Sequence, residues 1–198
     1  MGELNYYRQA LAKFSRRSYN RHLVAGTGGN LSVTIPKSDM VLITPTGISL
    51  GDVKPEENIL VTLNGEVIDS PMGLKGSKET SFHLAIFCRR PDVGAIAHVH
   101  PPYATAFSNK CKSLPLATVQ GRLTFKSVPC VECFPPGSKE LCDCVSDGIE
   151  RNPNIKALLM KEHGILTLGT DLMNAYYLAD LLEDTAKIAY LASNIRVK

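Results

Sequence analysis

Two histidines separated by one residue are the first feature of this 198-residue sequence that could do chemistry. His98 and His100 end an apolar run, GAIAHVH (94–100), whose composition predicts a buried strand. An offset of two places both imidazoles on the same face of a strand. Such a pair is a starting point for a divalent transition-metal site, which needs a third and a fourth ligand.

Two further residues could complete this ligand set. Glu79 begins a predicted helix shortly before the strand, and His163 ends a second apolar run, KALLMKEHG (156–164), where an active-site edge of an α/β sheet is expected. Three imidazoles and one carboxylate suit Zn²⁺, and Mn²⁺ or Co²⁺ are also compatible. The other two histidines, His22 and His83, fall in predicted helices, and we interpret both as structural.

A second group of residues could hold an anion. The loop GTGGN (26–30) offers backbone N–H groups, and Thr46, Gly47 and Ser77 could add hydroxyl and amide donors. The loop is not a dinucleotide-binding fingerprint, because the glycine order and the preceding strand are missing. Since Ser77 precedes Glu79 by two residues, a phosphate held there would lie within one small molecule's length of the metal.

Strand and helix patterns alternate along the chain. The hydrophobic periodicity predicts an amphipathic helix over 3–24, a helix from Ser77 to about 90, a short helix over 101–106, a helix over 139–150 and a long last helix capped by Asp171. Strands are predicted over 31–35, 40–44, 59–63, 66–69, 94–100, 128–134, 156–160 and 165–169. Hairpin-like runs outnumber strict β-α-β alternation, which favours one α/β domain over 1–198 with a mostly antiparallel sheet.

The cysteines include a C-x2-C-x8-C-x-C run, from Cys130 through Cys133 and Cys142 to Cys144, which could be a zinc knuckle or a disulfide cluster. The predicted strand places the first pair on opposite faces, and the predicted helix splays the second pair. We therefore interpret the six cysteines as small apolar fillers in a reducing compartment.

Composition narrows the class of protein. Hydrophobic residues make up 44% and charged residues 21% of the chain, which suits a packed globular core. The net charge of +3 gives little support to a nucleic-acid partner. No run reaches the apolar length of a membrane span, and the first residues lack the apolar centre of a signal peptide. We therefore expect a cytoplasmic enzyme without a membrane or nucleic-acid partner.

Five segments together resemble the class II aldolase/adducin family. They are GTGGNLSV (26–33), LITPTGISL (42–50), SKETSFHLAIF (77–87), RRPDVGAIAHVHPPYATA (89–106) and EHGILTLG (162–169). Each is weak alone, but all five occur in the family's order, and the resemblance covers about 26–192. It implies a single three-layer α/β/α domain and a cyclic homotetramer with active sites at subunit interfaces.

The resemblance also implies roles for the residues singled out above. The metal would be held by Glu79, His98, His100 and His163, with Glu79 as the catalytic base. The phosphate of a small sugar would be held by Thr27, Asn30, Gly47 and Ser77, with Gly28 and Thr46 in the same loops and Lys78 beside them.

The implied activity is that of a metal-dependent aldolase. A fuculose-1-phosphate-like ketose would be cleaved into dihydroxyacetone phosphate and an aldehyde through a metal-bound enediolate. Two departures from the family aldolases keep an alternative open. Those enzymes commonly carry a second serine where Lys78 stands and an interface tyrosine in the segment LPLATVQGRL (114–123), and this sequence has neither.

The Ser-Lys-Glu order and the stretch FPPGSKEL (134–141) are similar instead to 3-oxo-tetronate 4-phosphate decarboxylases of the family. A ribulose-phosphate 4-epimerase is a more distant alternative, because those members usually have aspartate at Glu79. A non-catalytic adducin-like binding module is disfavoured, because all four candidate metal ligands are present.

Overall fold

A computed structural model describes residues 2–110 and 113–196 of the chain. Six α-helices lie within these residues: α1 (Glu3–Asn20), α2 (Thr80–Arg89), α3 (Pro102–Ser108), α4 (Val119–Phe125), α5 (Lys139–Glu150) and α6 (Leu172–Asn194). The strands are β1 (Asn30–Thr34), β2 (Met40–Ile43), β3 (Ile59–Thr62), β4 (Val67–Asp69), β5 (Ala95–Val99), β6 (Cys130–Val131), β7 (Ala157–Met160) and β8 (Gly164–Gly169).

The strands form one sheet in the order β4-β3-β2-β1-β5-β8-β7-β6. Every neighbouring pair is antiparallel except β6 and β7. The two longest-range pairings place β1 and β8 on either side of β5, so the carboxyl end of β5 lies beside the amino ends of both neighbours. The predicted α/β fold with a mostly antiparallel sheet is confirmed.

Helices cover both faces of the sheet. One core contains buried side chains of α1, α3, α4 and α6 against one face, such as Leu11, Phe125 and Leu182. The other contains those of α2 and α5 against the opposite face, such as Phe82 and Val145. Alternation along each strand supplies both cores, which produces the three-layer α/β/α arrangement.

Three predicted boundaries were wrong for local reasons. Helix α1 ends at Asn20 rather than near 24, because His22 takes a left-handed backbone (φ 57°) and the chain turns. Helix α2 begins at Thr80 rather than Ser77, because the Ser77 carbonyl accepts hydrogen bonds from both N and Oγ1 of Thr80 in a preceding turn.

The strand expected over 128–134 is also shorter than predicted, since only Cys130–Val131 pair with β7. Pro129 lacks a backbone donor, and Pro135 and Pro136 follow within a few residues. Cys133, Cys142 and Cys144 form no disulfide and are half-buried, which fits their interpretation as fillers. Cys88 also forms no disulfide, but it is exposed on α2, so its interpretation as a filler was wrong. Cys111, included in that interpretation, lies outside the described residues.

No helix in the ranges 2–110 and 113–196 combines the length and the apolar character that crossing a membrane requires.

Candidate metal and phosphate site

The candidate metal ligands meet at one edge of the sheet. His98 lies in β5, His100 follows the end of that strand, and His163 lies in the turn between β7 and β8. Because β8 pairs antiparallel with β5, the residue before β8 comes next to the residue after β5. Each of these three histidines offers one ring nitrogen, and the three nitrogens lie within 4.8 Å of one another.

Glu79 joins the cluster from the other side. It is the residue immediately before helix α2, and its side chain is buried. Its Oε2 lies 3.1 Å from Nε2 of His98, and its Oε1 lies 3.3 Å from Nε2 of His163. The structure therefore gathers all four residues that the sequence analysis selected as metal ligands.

The hydrogen bonding of His98 fixes which of its nitrogens is available. Its Nδ1 lies 2.9 Å from the Ile165 carbonyl oxygen, which can only accept. Nδ1 therefore donates to that carbonyl oxygen, and Nε2 is the nitrogen that faces Glu79 at 3.1 Å and Nε2 of His100 at 3.0 Å. Nitrogen atoms of two imidazoles and a carboxylate oxygen thus converge at one point, where they could bind a cation.

Burial acts on the ionisation of the same groups. Burial, together with the neighbouring His98 and His163, lowers the pKa of His100 to about 3. Burial and His98 also lower the pKa of His163. Both rings are thus neutral at physiological pH, which is the form that binds a metal.

Glu79 is ionised although it is buried. Burial opposes the ionisation of this carboxyl. Electrostatic attraction to His98, hydrogen bonds from His98 and Asn30, and attraction to His163 together outweigh the effect of burial. The pKa of this carboxyl is therefore well below its ordinary value. Glu79 is an ionised, acceptor-only carboxylate beside three imidazoles, a donor set that fits a divalent transition metal.

The predicted phosphate loops border this cluster. The backbone N–H groups of Thr46 and Ser77 donate to the Lys75 and Thr44 carbonyls, so the two segments run side by side. Ser77 Oγ accepts a hydrogen bond from the backbone N–H of Glu79 at 3.2 Å, which leaves its own proton available. Thr27, Gly47 and Lys78 are exposed, and Gly47 has a left-handed backbone (φ 78°).

The glycine-rich loop packs directly on a candidate ligand. A Cβ at Gly28 would lie 2.8 Å from Nδ1 of His100, and a Cβ at Gly164 would lie 2.6 Å from Cδ2 of the same ring. The absence of side chains at both positions gives the His100 imidazole its place between two backbone segments. Gly28 thus has a packing role beside the phosphate role predicted for its loop.

Asn30 has a different position from the open phosphate ligand implied by the resemblance. Its side chain is buried, donates from Nδ2 to Glu79 Oε2 at 2.9 Å and faces Nε2 of His83 through Oδ1 at 2.6 Å. Both ends of the amide are engaged within the protein, and the residue pairs with His98 in the sheet.

His83, interpreted from sequence as structural, is connected to the site through Asn30. The sequence did carry a signal for this connection. His83 follows Glu79 by four residues, a spacing that brings two side chains together on one side of a helix.

Known proteins resemble this chain over nearly its whole length. The profile of the family described as Class II Aldolase and Adducin N-terminal domain matches residues 9–190. An L-fuculose phosphate aldolase of Methanococcus maripaludis is 36% identical over 93% of this chain and 96% of its own. A 3-oxo-tetronate 4-phosphate decarboxylase of Haemophilus influenzae is 30% identical over 96% of this chain and 90% of its own.

A solved structure is also similar to this chain. The crystal structure of L-fuculose-1-phosphate aldolase from Thermus thermophilus is similar with a TM-score of 0.80 and 27% identity, over 97% of this chain and 96% of that one. The matched family region includes every candidate ligand described above. The chain therefore belongs to the class II aldolase and adducin family, as an enzyme of its class II aldolase, or carbon–carbon lyase, type.

Proposed function

We propose that this chain cleaves a fuculose-1-phosphate-like ketose phosphate into dihydroxyacetone phosphate and an aldehyde. The observation that carries the proposal is the buried Glu79 carboxylate, held against the three-histidine cluster and two residues from the Ser77 loop. One sugar phosphate could therefore reach all three groups: the Glu79 carboxylate as the base, the histidine cluster as metal ligands and the Ser77 loop as the phosphate site. The aldolase relatives at 36–38% identity support the same activity.

His98, His100, His163 and Glu79 would hold the metal, with Zn²⁺ favoured by the imidazole-rich donor set. A divalent cation acts as a Lewis acid on the oxygens of a hydroxyketone and stabilises negative charge that develops there.

The remaining chemistry is assigned to side chains and backbone. Thr27, Gly28, Thr46, Gly47 and Ser77 would bind the phosphate and fix the reacting carbons beside Glu79. When the carbon–carbon bond breaks, its electron pair stays on the ketone-bearing fragment, which must gain a proton to leave as dihydroxyacetone phosphate. As the bond breaks, the hydroxyl group of the aldehyde-forming carbon loses its proton. The ionised Glu79 would accept that proton and return one to the ketone-bearing fragment in cleavage, and the two transfers run in reverse in synthesis.

A specific observation favours a second candidate, decarboxylation of a 3-oxo-tetronate 4-phosphate. Lys78 is exposed directly between Ser77 and Glu79, at the position where family aldolases carry a second serine. An ammonium there could bind the carboxylate that such a substrate carries. The relative from Haemophilus influenzae named as this decarboxylase is 30% identical.

The deciding experiment offers Zn²⁺-loaded protein L-fuculose 1-phosphate and a 3-oxo-tetronate 4-phosphate separately, and measures dihydroxyacetone phosphate and carbon dioxide. The proposal expects dihydroxyacetone phosphate from the first substrate and little carbon dioxide from the second. Carbon dioxide alone would assign the decarboxylase, and neither product would overturn both assignments.

The metal is tested by elemental analysis of purified protein. The parent is expected to hold about one ion per chain, since residues 2–110 and 113–196 contain one such histidine cluster. His98→Ala should lose it. His22→Asn is the matched control, because His22 is exposed, lies outside the cluster and has a left-handed backbone that asparagine tolerates. Equal metal content in all three proteins would contradict the proposed ligand set.

A further inference from the structure

A buried chain of hydrogen bonds leads from β1 through α2 to Glu79. Ser32 Oγ lies 2.6 Å from Nδ1 of His83, His83 Nε2 lies 2.6 Å from Oδ1 of Asn30, and Asn30 Nδ2 lies 2.9 Å from Oε2 of Glu79. All four side chains are buried, and Ser32 and His83 are fully so. Burial of polar atoms is costly unless they are hydrogen-bonded, and each atom named in this chain of bonds has a partner.

The direction of every bond in the chain follows from the Asn30 amide. Its NH₂ group, which can only donate, faces Oε2 of Glu79, and its carbonyl oxygen faces Nε2 of His83. The carbonyl oxygen can only accept, so His83 must carry its proton on Nε2. Nδ1 of His83 is then an acceptor, and the Ser32 hydroxyl donates to it.

Strand β1 and helix α2 set the positions of these four side chains. Asn30 and Ser32 are two apart on β1 and share a face of the sheet, while His83 is one helical turn beyond Glu79 on α2. Burial and the nearby His98 lower the pKa of His83 to about 3, so the ring stays neutral. A neutral ring with a proton on Nε2 keeps Asn30 from turning its amide around.

The two oxygens of Glu79 are consequently unlike. Oε2 accepts from Asn30 and faces His98, whereas the buried Oε1 makes no hydrogen bond within the described part of the chain and lies 3.3 Å from His163 Nε2. We infer that Ser32 and His83 are positioning residues which, through Asn30, hold Oε2 of Glu79 and leave Oε1 free for metal and proton. The inference rests on the role proposed for Glu79.

The first test is spectroscopic and uses metal-free parent protein. Long-range ¹H–¹⁵N correlation of the imidazoles distinguishes a protonated ring nitrogen from an unprotonated one. The expected result for His83 is a neutral ring with its proton on Nε2. A proton on Nδ1, or an imidazolium, would overturn the direction of the whole chain and with it the inference. This readout does not depend on which reaction the enzyme catalyses.

The second test measures Zn²⁺ affinity by competition with a chromophoric chelator. His83→Leu should weaken affinity about 10–100-fold, the usual effect of losing an outer hydrogen-bond partner of a ligand. His83→Gln keeps a donor and an acceptor, and it should restore affinity to within about threefold if an amide can replace the ring's hydrogen bonds. Ser32→Ala should fall between the two.

Unfolding free energies of the same variants separate positioning from mere stability. If His83 only fills the core, the variants lose stability while their Zn²⁺ affinity stays at the parental value, and the inference fails. Should His83→Leu not fold, His83→Gln, Ser32→Ala and the parental spectrum still decide. If neither candidate substrate is turned over, the proposed function fails, but the ring tautomer and the affinity series still report on positioning.

Discussion

At the scale of single residues, the surroundings of Glu79 separate the two roles proposed for it. Its carboxylate is buried, yet it remains ionised because His98, Asn30 and His163 stabilise the charge. One oxygen is held by the Asn30 amide, and the other faces His163. A group of this kind can remain in the ligand set while one oxygen exchanges a proton.

Glu79→Gln tests this separation. The amide oxygen of glutamine should take the place opposite Asn30, which turns an NH₂ group toward the imidazoles. We expect part of the metal to remain on three histidines, whereas turnover should fall about 10²–10⁴-fold because an amide cannot accept the proton. Elemental analysis and kcat/KM measure the two effects. Glu162→Gln is the matched control at an exposed carboxylate, and near-parental turnover in Glu79→Gln would place the base elsewhere.

Lys78 tests the choice between substrates. Its side chain is exposed, while its backbone is covered by the loop at Gly137, where a Cβ would lie 2.8 Å from the Lys78 carbonyl oxygen. The segment is therefore fixed while the ammonium stays accessible. Lys78→Ser should lower kcat/KM for a carboxylate-bearing 3-oxo-tetronate phosphate far more than for a neutral ketose phosphate. Equal losses would assign Lys78 to the phosphate, and no loss would mean that it faces solvent.

The candidate ligands could be selected from sequence, but their supporting partners could not. His98 and His100 share a strand face by simple alternation, and Glu79 and His163 stand at ends of periodic segments. The role of His83 depends instead on Ser32 and Asn30, which are 51 and 53 residues away along the chain. A helical histidine among apolar neighbours indicates burial, and only the packed sheet shows what it meets.

At the scale of elements, the loop before β1 and the start of β8 enclose His100. A Cβ on Gly28 would approach Nδ1 of that ring to 2.8 Å and the Ala25 carbonyl oxygen to 3.2 Å. The close approach requires a residue without a side chain, whatever the loop contributes to phosphate binding. The position of the ring is thus set by backbone on both sides.

Gly28→Ala should therefore displace His100 and weaken Zn²⁺ binding about tenfold or more, since ligand orientation sets affinity. Overpacking should also cost about 1–3 kcal/mol of unfolding free energy. Gly26→Ala is a suitable control, because its added Cβ would contact nothing within 4 Å although its φ of 56° makes the change strained. Chelator competition and urea unfolding measure both quantities. Equal Zn²⁺ affinities in the two variants would show that the ring tolerates the extra methyl.

Helix α3, which follows His100, is fastened by a residue of α6. The Glu183 carboxylate accepts the backbone N–H groups of Tyr103 and Ala104 at 3.0 and 2.9 Å. Burial raises the pKa of this carboxyl, although those two hydrogen bonds act in the opposite direction. The last helix thereby supports the segment that follows the candidate ligand His100.

The raised pKa of Glu183 gives a pH dependence with a definite sign. The folded protein binds the Glu183 proton more tightly than the unfolded chain, so this contribution to stability is complete below the ordinary pKa of 4.5 and is lost as pH rises through the folded value. Glu183→Gln cannot titrate. Its stability deficit relative to the parent should shrink between pH 4 and 7 in urea unfolding. A deficit that grows with pH would mean that the two backbone hydrogen bonds outweigh burial.

Elements with strong periodicity could be predicted well, and short ones could not. Helix α5 has the predicted bounds, and Asp171 caps α6 by accepting the Asn174 N–H at 2.8 Å. Helix α4 was not predicted, because seven residues that include Gly121 and two β-branched side chains carry little helical signal. Its Thr118 cap, whose hydroxyl accepts the Gly121 N–H at 2.9 Å, is a local feature that sequence periodicity does not detect.

At the scale of the whole molecule, helix α4 leaves an apolar surface uncovered. Val119 and Leu123 are one helical turn apart, and they are 65% and 77% exposed. Phe125 at the end of the same helix is buried in the core, so one side of the helix packs on the protein and the other side is exposed to solvent. The helix overlaps the segment (114–123) that the family resemblance places at a subunit interface. We therefore propose that this surface is buried in the implied homotetramer.

Leu123→Glu tests that proposal. A charge on a surface that must lose water on assembly is costly, so the variant should dissociate while the fold of each chain is kept. Light scattering after size exclusion should show a tetramer for the parent and smaller species for the variant, and circular dichroism should be unchanged. Turnover should fall with dissociation if active sites lie at the interface. Lys110→Glu, an exposed charge reversal outside α4, should leave the assembly intact. A tetrameric Leu123→Glu would place the interface on another surface.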